Sequence, residues 1–129
     1  MNLRVLVVDD EPFVAETLRA FLEDEGMQVR IEPSGEAALA AVQSGAAFDA
    51  CIMDLRLPGM DGDVAAQELH RLCPGLRFLF HTGSTDYVLP AALRAIGIRK
   101  SHLFRKPLAD MAPLAKALHA LHGASTREP

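Results

Sequence analysis

The chain has few of the residues that mark secreted or membrane-spanning proteins. Tryptophan is absent, and the two cysteines, Cys51 and Cys73, are too few for a disulfide framework in a chain of 129 residues. No apolar run approaches the roughly 20 residues that a bilayer requires. We therefore interpret both cysteines as free thiols, and we expect a cytoplasmic protein that does not insert into membranes.

Positive charge is also scarce. The chain has 17 acidic residues against 13 lysines and arginines, which gives a formal net charge of -4. A negative surface disfavours nonspecific contact with phosphates, so we expect no direct binding to nucleic acid. Hydrophobic residues make up 50% of the chain, which is enough for the buried core of one soluble domain.

Strand and helix patterns alternate along the chain. Short apolar segments predict strands at Leu3–Val8, Gln28–Glu32, Ala50–Met53, Leu76–His81 and His102–Arg105. An amphipathic helix pattern follows each strand, and the last begins at Asp110. This alternation predicts an α/β domain built on a doubly wound parallel sheet. We expect the domain to occupy residues 1–122 and residues 123–129 to form a loose tail.

Polar residues stand directly after four of the apolar strands. They are Asp9, Asp10 and Glu11 after the first, Asp54 after the third, Thr82 after the fourth and Lys106 after the fifth. Such sheets bind ligands beyond the carboxyl ends of their strands, so these side chains should converge. A divalent cation or an ammonium group would relieve the repulsion between the carboxylates. Phosphoryl transfer to a carboxylate requires an aspartate nucleophile, a metal, a lysine and a hydroxyl.

Four segments resemble the signature segments of response-regulator receiver domains, which act in two-component signalling. They are Val7–Pro12, Met53–Gly62, His81–Gly83 and Phe104–Pro107, each at the end of a predicted strand. The resemblance covers about residues 3–122. It implies a flavodoxin-like fold, with five parallel strands in the order 2-1-3-4-5.

The resemblance implies how the phosphoryl group is bound. Asp54 is the expected phosphoacceptor, and Thr82 and Lys106 are expected to contact the phosphoryl group. The bond between Lys106 and Pro107 is expected to be cis. The chain would act as a phosphoacceptor regulator and not as an enzyme. It would receive its phosphoryl group from a histidine kinase or a histidine phosphotransfer protein, and would lose it by slow self-dephosphorylation.

The resemblance also implies a metal site. Asp10, Asp54 and the backbone carbonyl of Arg56 are expected to bind Mg²⁺ directly, while Asp9 binds it through a water molecule. Mn²⁺ is expected to substitute for Mg²⁺. These ligands are all oxygens, which is the donor type that Mg²⁺ prefers.

The resemblance leaves the partners and the output open. No effector domain is expected after residue 122, so we expect the output to be docking to an unknown downstream protein or relay of the phosphoryl group. We expect a monomer or a weak dimer. The alternative is a pseudo-receiver, a protein-binding module that works without phosphorylation. A flavin carrier of similar architecture would need a phosphate loop rich in serine, threonine and glycine after the first strand, where this chain has acids.

Two aromatic residues bear on how signals enter and leave the domain. Many receivers carry an aromatic residue three positions before the signature lysine, where this chain has Leu103. Phe104 follows, and strand alternation should turn its ring to the opposite face of the sheet. The segment from Gly97 to Leu103 is about two residues longer than is usual in the family.

Phe13, beside Asp10, is either a contact for the kinase or packs locally.

Overall fold

Short apolar segments form a parallel sheet at the centre of the molecule. The computed structural model describes residues 3–83, 88–108 and 110–127. The strands are β1 (Arg4–Val8), β2 (Gln28–Glu32), β3 (Ala50–Met53), β4 (Arg77–Thr82) and β5 (Leu103–Arg105). Their order is β2-β1-β3-β4-β5 and every pairing is parallel, which confirms the predicted fold. β3 lies at the centre and is buried at every position, which explains why it is apolar without alternation.

Helices connect successive strands. They are α1 (Pro12–Asp24), α2 (Gly35–Gln43), α3 (Gly62–Leu72), α4 (Ala91–Ala95) and α5 (Ala112–Arg127). The side chain of Ser34 accepts a hydrogen bond of 3.1 Å from the backbone N–H of Ala37, and so caps α2. A short 3₁₀ helix at Lys100–His102 lies between α4 and β5.

The helices bury apolar side chains on both faces of the sheet. On one face, side chains of α2, α3 and α4 pack with side chains of the sheet. This cluster includes Leu6, Met53, Leu69, Phe80 and Leu93. On the other face, side chains of α1 and α5 pack with the sheet. This cluster includes Val5, Leu18, Ile52, Leu79 and Leu114. Leu103 packs against the first group and Phe104 against the second, so the predicted alternation in β5 is confirmed. In the ranges that the structure describes, no helix has both the length and the apolar character needed to cross a membrane.

Several element boundaries differ from the sequence-based expectations, among them the ends of β4 and α5. Thr82 is the last residue of β4, paired with Arg105, and does not begin a loop. A β-branched residue suits this extended backbone. Helix α5 continues to Arg127, five residues past the predicted end of the domain at residue 122. A single interior glycine, here Gly123, costs a helix only about 1 kcal/mol, and no proline follows until Pro129.

Gly62 permits a close approach between the start of α3 and the end of β3. Its backbone N–H donates a 2.9 Å hydrogen bond to the carbonyl oxygen of Leu55. A Cβ atom at Gly62 would overlap the carbonyl oxygen of Asp54 and would lie 2.9 Å from the Cα of Leu55. These neighbours are backbone atoms and cannot rotate away, so any side chain at this position would displace the segment that carries Asp54.

We therefore predict that Gly62→Ala lowers the free energy of unfolding by about 1–3 kcal/mol, as overpacking does elsewhere. Gly75→Ala is the matched control, because a Cβ atom there would meet nothing within 4 Å. Urea denaturation of the two variants and the parent measures the difference. Equal stability of the two variants would contradict the proposed backbone clash.

Candidate functional site

The register of the sheet places two aspartates side by side. β1 and β3 are paired with Val8 opposite Met53, so Asp9 and Asp54 leave the sheet at the same level. The backbone N–H of Asp54 donates a 3.0 Å hydrogen bond to the carbonyl oxygen of Val8. Both side chains are buried, with 3% of Asp9 and 4% of Asp54 exposed. The strands therefore hold two carboxylates together in a largely dehydrated position.

Lys106 lies against these carboxylates. Its backbone N–H donates a 2.8 Å hydrogen bond to the carbonyl oxygen of Thr82, which continues the pairing of β4 and β5. Its Nζ atom lies 2.9 Å from Asp9 Oδ2, 2.9 Å from Glu11 Oε1 and 3.0 Å from Asp54 Oδ2. An ammonium group has three N–H donors, so these three carboxylates can use all of them.

Glu11 also belongs to this cluster, although the sequence-based prediction placed it after the first strand without giving its carboxylate a role in the site. Its backbone N–H donates a 2.9 Å hydrogen bond to Asp9 Oδ1, which folds the chain back just after β1. Its carboxylate then reaches Lys106 from the exposed side. The signal was present in the sequence, since Glu11 is the third acid in a row and one lysine can bind three carboxylates.

Four carboxylates form a group that could hold a cation. Asp9, Asp10, Glu11 and Asp54 each offer one oxygen, and these oxygens all lie within 4.8 Å of one another. The ammonium of Lys106 offsets only one of the four formal negative charges. Oxygen donors that carry this surplus of negative charge suit a hard divalent cation.

The remaining predicted residues lie at the same edge of the sheet. Thr82 is buried at the end of β4, with 4% of its surface exposed. The backbone N–H of Arg56 donates a 3.2 Å hydrogen bond to Asp54 Oδ1, which places Arg56 beside the Asp54 carboxylate. The use of its carbonyl as a metal ligand stays a prediction. The peptide bond between Lys106 and Pro107 is cis, as the resemblance implied.

The electrostatics of the cluster stabilise the lysine in its charged form. Burial alone would lower the pKa of Lys106, but hydrogen bonds with Asp9, Glu11 and Asp54 outweigh burial and raise that pKa. Burial raises the pKa of Asp9, although the backbone N–H of Glu11 and the Lys106 ammonium oppose this rise. Burial thus disfavours the negatively charged form of Asp9, and a bound cation would stabilise that form.

His81 is buried beside this cluster, with 3% of its surface exposed. Among the described residues, neither ring nitrogen has a hydrogen-bond partner. Burial lowers the pKa of His81 from its usual value of 6.5, and the positive charge of Lys106 lowers it further. Asp9 and Glu11 act in the opposite direction without reversing the shift. The imidazole is therefore neutral at neutral pH.

This shift predicts a pH dependence of stability. Because the folded-state pKa of His81 lies below 6.5, the neutral imidazole makes its full contribution to the free energy of unfolding above pH 6.5. It decreases as the pH falls from 6.5 towards the folded-state pKa, with a slope of at most about 1.4 kcal/mol per pH unit. His81→Leu should reduce the slope measured by urea denaturation over this range.

Part of the slope should survive in His81→Leu, because burial also lowers the pKa of His102. A slope that is identical in His81→Leu and the parent would show that His81 does not resist protonation in the folded state.

Residues 5–119 match the family model of the response regulator receiver domain. The chain therefore belongs to the family of response-regulator receiver domains. The chain is also 39% identical over 92 residues to a response regulator receiver protein of Anaeromyxobacter sp.. That alignment covers 70% of this chain and 38% of the relative, so the chain spans well under half of the relative's length.

Solved structures agree with this assignment. A CheY-like receiver domain protein from Methanospirillum hungatei superimposes with a TM-score of 0.85 over 100% of both chains, and at 23% identity it shows the fold alone. The response regulator TrrA from Thermotoga maritima is 27% identical, with a TM-score of 0.79 and coverage of 94% of this chain and 99% of that one. TrrA was solved in complex with Mg²⁺ and BeF.

Proposed function

We propose that this chain is a phosphoacceptor switch in a two-component phosphorelay, acting in the cytoplasm. A histidine kinase or a histidine phosphotransfer protein would supply the phosphoryl group, and Asp54 would receive it. The observation that carries this proposal is the contact of Lys106 Nζ with Asp54 Oδ2 at 3.0 Å, inside a cluster of further carboxylates. This contact places a cation at the oxygen atoms where the phosphoryl group would be attached.

The proposed transfer is a displacement at phosphorus. A carboxylate oxygen of Asp54 forms a bond to phosphorus while the bond from phosphorus to the donor's imidazole nitrogen breaks. The electron pair of the broken bond stays on that nitrogen, and an acyl phosphate forms on Asp54. Slow attack by water on this acyl phosphate returns Asp54 to its carboxylate and releases inorganic phosphate. The chain supplies little covalent chemistry beyond the acceptor, so positioning and charge do most of the work.

A divalent metal fits the proposed site because the available donors are carboxylate oxygens. Asp10 and Asp54, with the carbonyl of Arg56, would hold Mg²⁺ or Mn²⁺ directly, and Asp9 would do so through water. When bound, the metal offsets the charge between Asp54 and the incoming phosphoryl oxygens. The solved complex of TrrA with Mg²⁺ and BeF supports this choice of metal.

Lys106 and Thr82 would bind the transferred group. Lys106 would give up its contact with Asp54 Oδ2 and bind a phosphoryl oxygen instead. The positive charge of its ammonium group would then lie beside the negative charge of the phosphoryl group. Thr82 stands on the neighbouring strand, and its backbone carbonyl already accepts the Lys106 N–H. Its hydroxyl would donate to a second phosphoryl oxygen. A phosphoryl group adds about -1.5 to -2 charges, so both donors would favour the phosphorylated state.

We predict that Asp54→Asn abolishes labelling by acetyl phosphate, because an amide nitrogen cannot form the acyl phosphate. Intact-mass spectrometry measures the product, and Asp24→Asn, at the end of α1, should be labelled like the parent. Excess EDTA should prevent labelling of the parent, and Mg²⁺ or Mn²⁺ should restore it. A parent chain that stays unlabelled with every donor would favour the pseudo-receiver alternative.

Phe13 is a candidate contact for the phosphoryl donor. Its side chain is 84% exposed, so the alternative that it packs locally is wrong. It lines a largely apolar cavity of about 450 Å³ together with Val14 and Thr17 of α1 and Met111 before α5. The same cavity is lined by Lys106, so a helix carrying the donor histidine could bind here with its imidazole close to Asp54.

We predict that Phe13→Ala slows transfer from a cognate phosphohistidine protein by about tenfold or more, which is typical for loss of an aromatic anchor. Labelling by acetyl phosphate should be unchanged, because that donor needs no docking surface. Val64→Ala removes another exposed apolar side chain, on α3, and should affect neither reaction. If Phe13→Ala slowed both reactions equally, Phe13 would be supporting the site itself.

A further inference from the structure

Glu11 is the exposed member of the cluster around Lys106. The side chains of Asp9 and Asp54 are 2% and 5% exposed, whereas that of Glu11 is 57% exposed. Its Oε1 atom accepts a 2.9 Å hydrogen bond from Lys106 Nζ. Glu11 therefore places a negative charge at the solvent side of the cluster, where an incoming molecule would meet it first.

The local backbone fixes the position of this charge. The N–H of Glu11 donates a 2.9 Å hydrogen bond to Asp9 Oδ1, and its carbonyl oxygen accepts a 3.0 Å hydrogen bond from the N–H of Ala15 in α1. One carboxylate oxygen of Glu11 and one of Asp54 lie within 4.8 Å of each other. Charges at this separation interact appreciably even beside water, so Glu11 acts on any group that reacts at Asp54.

Glu11 also lines the cavity through which a phosphoryl donor would reach Asp54. The other titratable residues of that lining are His81 and Lys106. His81 is neutral at neutral pH, because burial lowers its pKa. The positive charge of Lys106 is shared among three carboxylates. The uncompensated charge that the lining presents to a donor is therefore negative.

Phosphoryl donors differ in the charge of the group that leaves. In phosphohistidine and phosphoramidate the phosphorus is bonded to nitrogen, and the reactive form carries an additional proton on the leaving group. The electron pair of the broken bond neutralises that positive charge, and imidazole or ammonia departs. In acetyl phosphate the electron pair goes to a carboxylate oxygen, and acetate departs as an anion. A neighbouring carboxylate attracts the first kind of leaving group and repels the second.

We propose that Glu11 is a specificity-determining residue, whose carboxylate favours donors with a protonated nitrogen leaving group over small acyl phosphates. The proposal rests on phosphorylation of Asp54 and adds a basis on which the site selects its donor. Repulsion between Glu11 and the phosphoryl oxygens is common to both classes of donor, and so is the contact of Glu11 with Lys106. These effects cancel in the ratio of the two labelling rates, which therefore reports the leaving group alone.

The test compares the rates at which phosphoramidate and acetyl phosphate label the chain, at neutral pH with excess Mg²⁺, by intact-mass spectrometry. Glu11→Gln removes the charge and keeps the size of the side chain. The ratio of the phosphoramidate rate to the acetyl phosphate rate should fall by about two- to fivefold, which is the effect of one exposed charge. Glu23→Gln removes the same charge near the other end of α1 and should keep the parent's ratio.

Two further measurements separate the charge of Glu11 from a structural role. Glu11→Asp keeps the charge and should keep most of the parent's ratio, whereas a loss of stability would change both rates together. Added salt should lower the ratio of the parent towards that of Glu11→Gln. A ratio that is unchanged or raised in Glu11→Gln, while both donors label the parent, would overturn the role of Glu11 and leave phosphorylation of Asp54 intact. A parent labelled by neither donor would overturn that phosphorylation, and the role of Glu11 with it.

Discussion

The contact of one ammonium group with three carboxylates is the constraint on which the site depends. Lys106 comes from the segment after β5, while Asp9 and Glu11 follow β1 and Asp54 follows β3. The sheet brings these strand ends together, and the mutual attraction of the groups offsets the cost of burying Asp9 and Asp54. Every other feature of the site, including a place for a cation and a buried threonine, is arranged around this contact.

The fold and most of the site were predictable because both follow from short-range patterns. Apolar strands that each end in a polar residue predict a parallel sheet and a site at its carboxyl edge. The role of Glu11 in the site was not predicted because its position depends on the turn made by its own backbone N–H with Asp9. The end of α5 was not predicted because each residue after Gly123 changes the stability of the helix only slightly. The point where the helix ends depends on the sum of these small free energies and is not marked by any single residue.

The two faces of the sheet differ in what they offer to other molecules. Beside Phe13, α1 and the segment before α5 form a largely apolar cavity that reaches Lys106. Around Val88, α4, the 3₁₀ helix and β5 form a groove with a cationic rim. β5 connects the two, because Leu103 packs towards one face and Phe104 towards the other. A displacement of this three-residue strand would therefore affect both surfaces.

The separation of Lys106 from its partners along the chain has a consequence for biosynthesis. The contact between Lys106 and Glu11 joins residues that are 95 positions apart. A ribosome releases the carboxylates of β1 and β3 long before it releases the lysine that neutralises them. The nascent chain thus carries these carboxylates without their counter-charge until β5 and Lys106 have been synthesised. A chain truncated before β5 would keep Asp54 and lack the ammonium group that contacts it.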